Sequence, residues 1–225
     1  MLAKSKKKYI TEIRFMNDIQ NTREILLTTI NNNLLEFYDF NNKIILAIGA
    51  GGGQIIEYGF KARKIFAIDN NEEAIKKLHN KLLQTGLGEK FSFIHSDFLQ
   101  TTLTGDLVFF EFCLHEIIDT RVAIEHAFKL APEILIADHC PGSEWAFITD
   151  EDKKISKSWN ELGLYNIKTI RRYNTFQFFT DYDALLEKIQ GQGLNSINRI
   201  SGYKGQKNIS ISRSYCFALI KRLLL

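Results

Sequence analysis

Lys43-Ile44-Ile45-Leu46-Ala47-Ile48-Gly49-Ala50-Gly51-Gly52-Gly53-Gln54-Ile55-Ile56, running on through Gly59 and Lys61 to Ile65-Phe66-Ala67-Ile68-Asp69, is the stretch that decides the fold. Its first apolar run is long enough for one strand buried on both faces. Glycines follow directly, then a short apolar helix pattern, then a second apolar run. Strand, glycine loop, helix and strand make half of a nucleotide-binding unit. Gly49, Gly51 and Gly53 keep the turn free of Cβ atoms, so the backbone can take positive φ and a bulky ligand can lie against bare amides. Asp69 stands twenty positions after Gly49. At the carboxyl end of the second run its side chain can accept hydrogen bonds from both ribose hydroxyls, and it can also cap the next helix. A ribose-bearing cofactor is expected.

Outward from this stretch the pattern alternates. Asn70 or Asn71 caps a helix with Glu72 and Glu73 in its first turn, lysines after them, and Gly86 closing it. Strands are expected over Phe91–Ile94, Asp106–Phe112 and Glu133–Asp138, with a helix from about Thr120 to Leu130 ended by Pro132. Such βαβα alternation builds a parallel sheet with helices on both faces and a ligand site beyond the carboxyl strand ends. Gly49, Asp69, Asp97, His115 and Asp138 all fall at those ends. Before the first strand, Phe15, Ile19, Leu26, Ile30, Leu34 and Phe37 recur at helical steps, an amphipathic helix that packs on the sheet. Between Pro141 and Thr180 the pattern loosens into aromatics among charges, with helical signals near Asp150 to Leu162; this reads as core filler or as a substrate lid. Thr180 to Asp183 resembles a capping box opening a helix over Tyr182 to Gln190. Leu194–Ile200 and Ser214–Leu219 read as two strands joined by the polar loop Ser201–Arg213.

The chain has 225 residues and a net charge of +3, so basic and acidic residues nearly balance and nothing in the total demands nucleic acid or an anionic membrane. The lysine cluster Lys4 to Lys8 reads as a solvated tail. Cys113, Cys140 and Cys216 are odd in number and share no metal-like spacing; neither a disulfide framework nor a zinc knuckle is indicated, and a reducing cytoplasm is the simple reading. No apolar run approaches spanning length, Leu223-Leu224-Leu225 included.

The glycine spacing separates two cofactor classes. Nicotinamide binders want G-x-G-x-x-G, yet Gln54 occupies the last position. Gly49-Ala50-Gly51-Gly52-Gly53 fits G-x-G-x-G and resembles the first motif of the class I S-adenosylmethionine-dependent methyltransferases. His95-Ser96-Asp97-Phe98 is similar to that family's adenine-contacting step, and Phe112-Cys113-Leu114-His115-Glu116-Ile117 to its fourth-strand substrate motif. The resemblance covers roughly Lys43 to Asp138. It implies a Rossmann-like, doubly wound, mostly parallel seven-stranded sheet with a C-terminal antiparallel hairpin strand. Residues 1–225 form one domain: a helical cap over 1–42, a cofactor-binding core over 43–140, an inserted lid or substrate segment over 141–181, and a helix with a hairpin over 182–225.

By the same resemblance, S-adenosylmethionine is the cofactor and S-adenosylhomocysteine its product. It is held by Gly49, Ala50, Gly51, Gly53, Asp69, Asn70, Asp97, Phe98, Glu111 and Phe112. Asp97 takes the adenine amino group, with Phe98 stacking on or bordering the ring. Ala47 stands where the family usually carries Asp or Glu, so another group has to hold the cofactor's ammonium. His115, Glu116 and His139 are the candidates beside the reacting atoms, as general base or orienting group, with Asp138 at the same strand ends. These residues lack a spacing that specifies a metal site, and none is expected. Glu111-Phe112-Cys113-Leu114 replaces the Asp/Asn-Pro-Pro-aromatic step of the enzymes that methylate nucleic-acid amino groups. The expected acceptor is therefore a small metabolite, the protein a cytoplasmic monomer or homodimer. An RNA or protein methyltransferase, a nicotinamide-dependent oxidoreductase and a non-catalytic binding module are the competing readings.

Overall fold

The computed structural model describes residues 25–51, 53 and 55–222. Phe15, Ile19, the Lys4–Lys8 cluster, Gln54 and Leu223–Leu225 lie outside them. The first helix, α1 (residues 25–37), presents Leu26, Ile30 and Leu34 to the main core, as its spacing requires. Then come β1 (Ile44–Ile48), β2 (Lys64–Asp69), α2 (Glu72–Leu83), β3 (Phe91–His95), β4 (Leu107–Glu111), α3 (Thr120–Leu130) and β5 (Glu133–His139). The chain ends with α4 (Glu144–Ile148), α5 (Asp152–Leu162), β6 (Ile167–Asp181), α6 (Tyr182–Ile189), α7 (Leu194–Arg199) and β7 (Lys207–Lys221).

Among the described residues the sheet has seven strands, in the order β3-β2-β1-β4-β5-β7-β6. Pairing is parallel from β3 to β5, and β7 runs antiparallel to both β5 and β6, so six strands share one direction. The strand order reverses between β1 and β4, the switch point beyond which ligands bind in open sheets of this type. One face buries Ile45, Ala47, Ala67, Phe109, Leu135 and Phe217 beneath α1. The other buries Leu46, Ile48, Val108, Phe110, Ile134 and Ile136 with α3 and with Leu162 of α5. A third cluster, Trp145, Ile148, Phe179, Leu185, Ile189, Ile200, Ile209 and Ile211, ties α4 and α6 to the far end of the β6–β7 hairpin. Among the described residues no helix is long and apolar enough to cross a membrane.

Several local expectations are corrected. Among the described residues no α-helix stands between the glycines and β2; the segment makes a 3-10 turn over Glu57–Phe60, because few residues separate Gly53 from β2. The strand expected at Leu194–Ile200 is α7, whose apolar residues Leu194, Ile197 and Ile200 are three apart, a helical step. The partner of β7 is β6 instead, drawn from the aromatic 141–181 segment, where Tyr173, Thr175, Gln177 and Phe179 alternate with the exposed Asn174, Phe176 and Phe178. The α6 cap is Asp181, which accepts from the Ala184 amide, one residue beyond the expected Thr180. Finally, Cys140 and Cys216 are joined by a disulfide with Cα atoms 5.6 Å apart. The two cysteines are far apart in sequence and become neighbours only through the β5–β7 register, which sets Asp138 opposite Cys216.

Candidate active site

At the end of β1 the chain turns on glycine. Gly49 and Gly53 take φ of +69° and +58°, the left-handed region that a Cβ disfavours. A Cβ on Gly49 would sit 2.5 Å from Cys113 Cβ, and one on Gly51 would sit 2.4 Å from both Asp69 Oδ2 and Ala74 Cβ. The loop can pass between β2, α2 and the end of β4 only without side chains. Its anchor is Asp69, whose Oδ2 accepts from the Gly51 amide at 2.9 Å while Oδ1 accepts from the Asn71 amide at 2.9 Å. Asn71, not Asp69, caps α2 by accepting from Ala74 N. Lys81 of α2 donates to the Gly53 carbonyl, fixing the loop from its other side. Ala50 is buried, and the exposed Asn70 accepts through its carbonyl from His95 Nε2 at 3.1 Å.

At the end of β3, Asp97 is exposed and caps a 3-10 turn, accepting from Leu99 N at 2.8 Å. Phe98, expected to stack on or border the adenine, follows Asp97 directly. It is buried in the core, edge-on to Phe110 at 5.2 Å and to His126 at 5.0 Å, because the turn after Asp97 points it beneath the sheet.

At the end of β4, Glu111 faces the same side of the sheet as Phe109 and Ala47, since Ala47 pairs with Phe109 and side chains two apart share a face. Its carboxyl is buried, accepts a hydrogen bond from Tyr58 Oη, and is pushed up to about 8 by that burial. Tyr58, whose phenol burial and Glu111 hold well above the usual range, was not singled out from the sequence. Phe112 takes φ of +53° and lays its ring 5.2 Å from that of His139.

Beyond Phe112, a 3-10 turn over Leu114–Glu116 brings the polar residues of β4 and β5 together. Asp138 is 1 % exposed and is the hub. It accepts from His115 Nδ1 at 2.6 Å and from the amides of His115 and His139 at 3.2 and 2.8 Å. That fixes the orientation of the His115 ring and leaves Nε2 turned to Glu116 Oε1 at 3.4 Å. Burial alone would lower the His115 pKa, but the hydrogen bonds to Asp138 and Glu116 and the charges of Asp138 and Glu151 outweigh it and carry it to about 10. Glu116, bonded to His115 and then to Lys154 at 2.6 Å, is held down to about 2. His139 is the opposite case: burial, then the nearby Arg213 and His115 charges, drive its pKa well below the usual value, and its Nδ1 has no hydrogen-bond partner. Of the four strand-end residues read from the sequence, His115, Glu116 and Asp138 share one hydrogen-bonded cluster, and His139 stands beside it with its ring 6.1 Å from that of His115. The sequence reading missed Glu151, which precedes α5 and brings its carboxylate to His115 and Glu116.

A reversed strand order at β1/β4, a glycine turn on β1 anchored by an acidic residue on β2, and a final antiparallel strand define the Rossmann-like methyltransferase fold. Solved structures with this fold align along most of the chain. One is a candidate methyltransferase from Bacillus halodurans C-125, 12 % identical over 88 % of this chain and 97 % of that one, with a TM-score of 0.62. Another is a SAM-dependent methyltransferase from Aquifex aeolicus, 18 % identical over 84 % and 88 %, with a TM-score of 0.53. A third is the magnesium protoporphyrin IX methyltransferase of Synechocystis PCC 6803 with bound S-adenosylhomocysteine, 12 % identical over 90 % and 85 %, with a TM-score of 0.51. No protein-family model and no curated protein sequence matches the chain.

Proposed function

We propose that this protein is an S-adenosylmethionine-dependent methyltransferase acting on a small metabolite. The observation that carries the reading is the side-chain-free turn of Gly49, Gly51 and Gly53, with Asp69 bonded to its Gly51 amide, at the switch point of this fold. A structure of the same fold that is described as SAM-dependent, and a methyltransferase of that fold holding S-adenosylhomocysteine, support the cofactor. In this reading the loop backbone and Ala50 face the adenosyl group, Asp69 takes the ribose hydroxyls with its remaining lone pairs, and Asp97 with the Asn70 stretch lines the adenine end. Glu111 supplies the acidic group that Ala47 cannot, since its carboxyl rises from the neighbouring strand on the same face. Its carboxyl is protonated at neutral pH until a cation arrives, so binding an ammonium there releases a proton.

When bound, the cofactor supplies an electrophilic methyl group on a cationic sulfur, which needs alignment more than activation. Holding two reactants in line is worth on the order of 7 to 11 kcal/mol. His139, neutral, buried and with an unpartnered Nδ1, is the residue suited to accept a proton or a hydrogen bond from the acceptor. His115 is already bonded between two carboxylates, and it orients the turn after β4 rather than acting as the base. The small-metabolite acceptor rests on the Glu111-Phe112-Cys113-Leu114 step. The test is incubation with methyl-labelled cofactor and a cell extract, fractionated by size, with Asp69→Ala as the control. Label in small molecules is expected. Label confined to RNA or protein would overturn the acceptor class, and no label above the control would overturn the activity.

A further inference from the structure

His115 Nε2 and one carboxylate oxygen each from Glu116 and Glu151 lie within 4.8 Å of one another, close enough for a single ion to touch all three. From these groups we infer a divalent metal site, of the kind that takes a first-row transition ion through one imidazole and two carboxylates. Two features beyond the ligand atoms point the same way. The imidazole is oriented as a metal ligand needs, its Nδ1 bonded to the buried Asp138 at 2.6 Å and Nε2 directed at the carboxylates, so that an ion bound there takes the place of the Nε2 proton. Glu151 is also held from behind, its Oε2 accepting from Thr149 Oγ1 at 2.8 Å. Three carboxylates, Asp138, Glu116 and Glu151, therefore surround one imidazole, and the neighbouring cation that meets them is the Lys154 ammonium on Glu116 Oε2. Lys154 is exposed and flexible enough to withdraw when an ion takes its place. Three protein ligands leave a coordination position open to water or an anionic oxygen. That this oxygen belongs to the methyl acceptor rests on the function proposed above; metal binding itself does not.

The test is titration of the full chain with Mn2+, read by the electron paramagnetic resonance of the free ion, followed by Zn2+ competition, both without cofactor. One Mn2+ per chain is expected, displaced by Zn2+. Glu151→Gln should weaken binding at least about tenfold, and Asp138→Asn by roughly 10- to 100-fold through the imidazole it orients. Lys154→Gln should tighten binding several-fold by removing the competing ammonium, which an unspecific carboxylate patch does not predict so sharply. Glu89→Gln, exposed on another loop, should leave it unchanged. Where the Asp138 variant melts early, the Glu151 and Lys154 variants decide. Failure to retain either ion, or equal affinity in Glu151→Gln and the native chain, would overturn the site. Loss of S-adenosylhomocysteine binding with the metal retained would instead count against the proposed function.

Discussion

The two ends of the crevice are built from different materials. At β1 and β2 the groups that would meet a ligand are main-chain amides and one carboxylate, and the critical requirement is the absence of side chains at Gly49 and Gly51. At β4 and β5 they are side chains, five titratable groups from Glu111, His115, Glu116, Asp138 and His139, most of them buried. The first end works by shape, and its hydrogen bonds are made mostly to or from the main chain of the loop and its flanks. The second works by charge held out of water, where the buried Glu111 and Asp138 carboxyls meet partners, Tyr58 and His115, that the fold brings to them.

Breaking the second end should therefore cost most. Asp138→Ala removes the acceptor for His115 Nδ1 and two amides at once, and leaves buried donors without partners. A loss of roughly 3 to 5 kcal/mol is expected by urea unfolding, while S-adenosylhomocysteine affinity, measured above the melting loss, should fall far less than turnover. A smaller effect sharpens the contrast through pH. The Glu111 carboxyl stands at about 8 in the fold, above its ordinary range. Its contribution is full below the unfolded value near ~4.3 and is lost as pH rises through 8. Glu111→Gln should flatten that fall, gaining on the order of 3 kcal/mol over the native chain by pH 9, read by calorimetric melting from pH 5 to 9. If the two proteins melt in parallel across this range, Glu111 is not the buried acid described.

The shape-dependent end responds to a single methyl group. Gly49→Ala puts a Cβ into Cys113 at positive φ, and about 2 to 3 kcal/mol of stability should go with it. Gly86→Ala shares the positive φ of +71° but meets nothing within 4 Å, so only about 1 kcal/mol is expected. Equal losses at the two positions would show that the close approach to β4 contributes nothing.

The same division explains what could be read from the chain alone. The apolar runs of β1 and β2, the turn of Gly49 and the place of Asp69 depend on neighbours in sequence, and they stand where their spacing puts them. Glu151 meets His115 only after α5 packs against the turn that follows β4. The Tyr58–Glu111 bond needs the chain to cross beneath β4 after a glycine turn, and the Cys140–Cys216 bond needs the register of β7. The strand β6 was hidden because its exposed Phe176 and Phe178 look like a mobile aromatic segment, although their alternation with Thr175, Gln177 and Phe179 is the period of a strand.

In the proposed function the cofactor crevice lies over β1 and β2, with the Glu111 carboxyl as its far wall. Calorimetric titration with S-adenosylhomocysteine at pH 7, in buffers of different ionisation enthalpy, tests it most directly. One site per chain is predicted, with proton release on binding, an at least about tenfold loss in Asp69→Ala, and no heat with NADH. Heat with NADH and none with S-adenosylhomocysteine would contradict it.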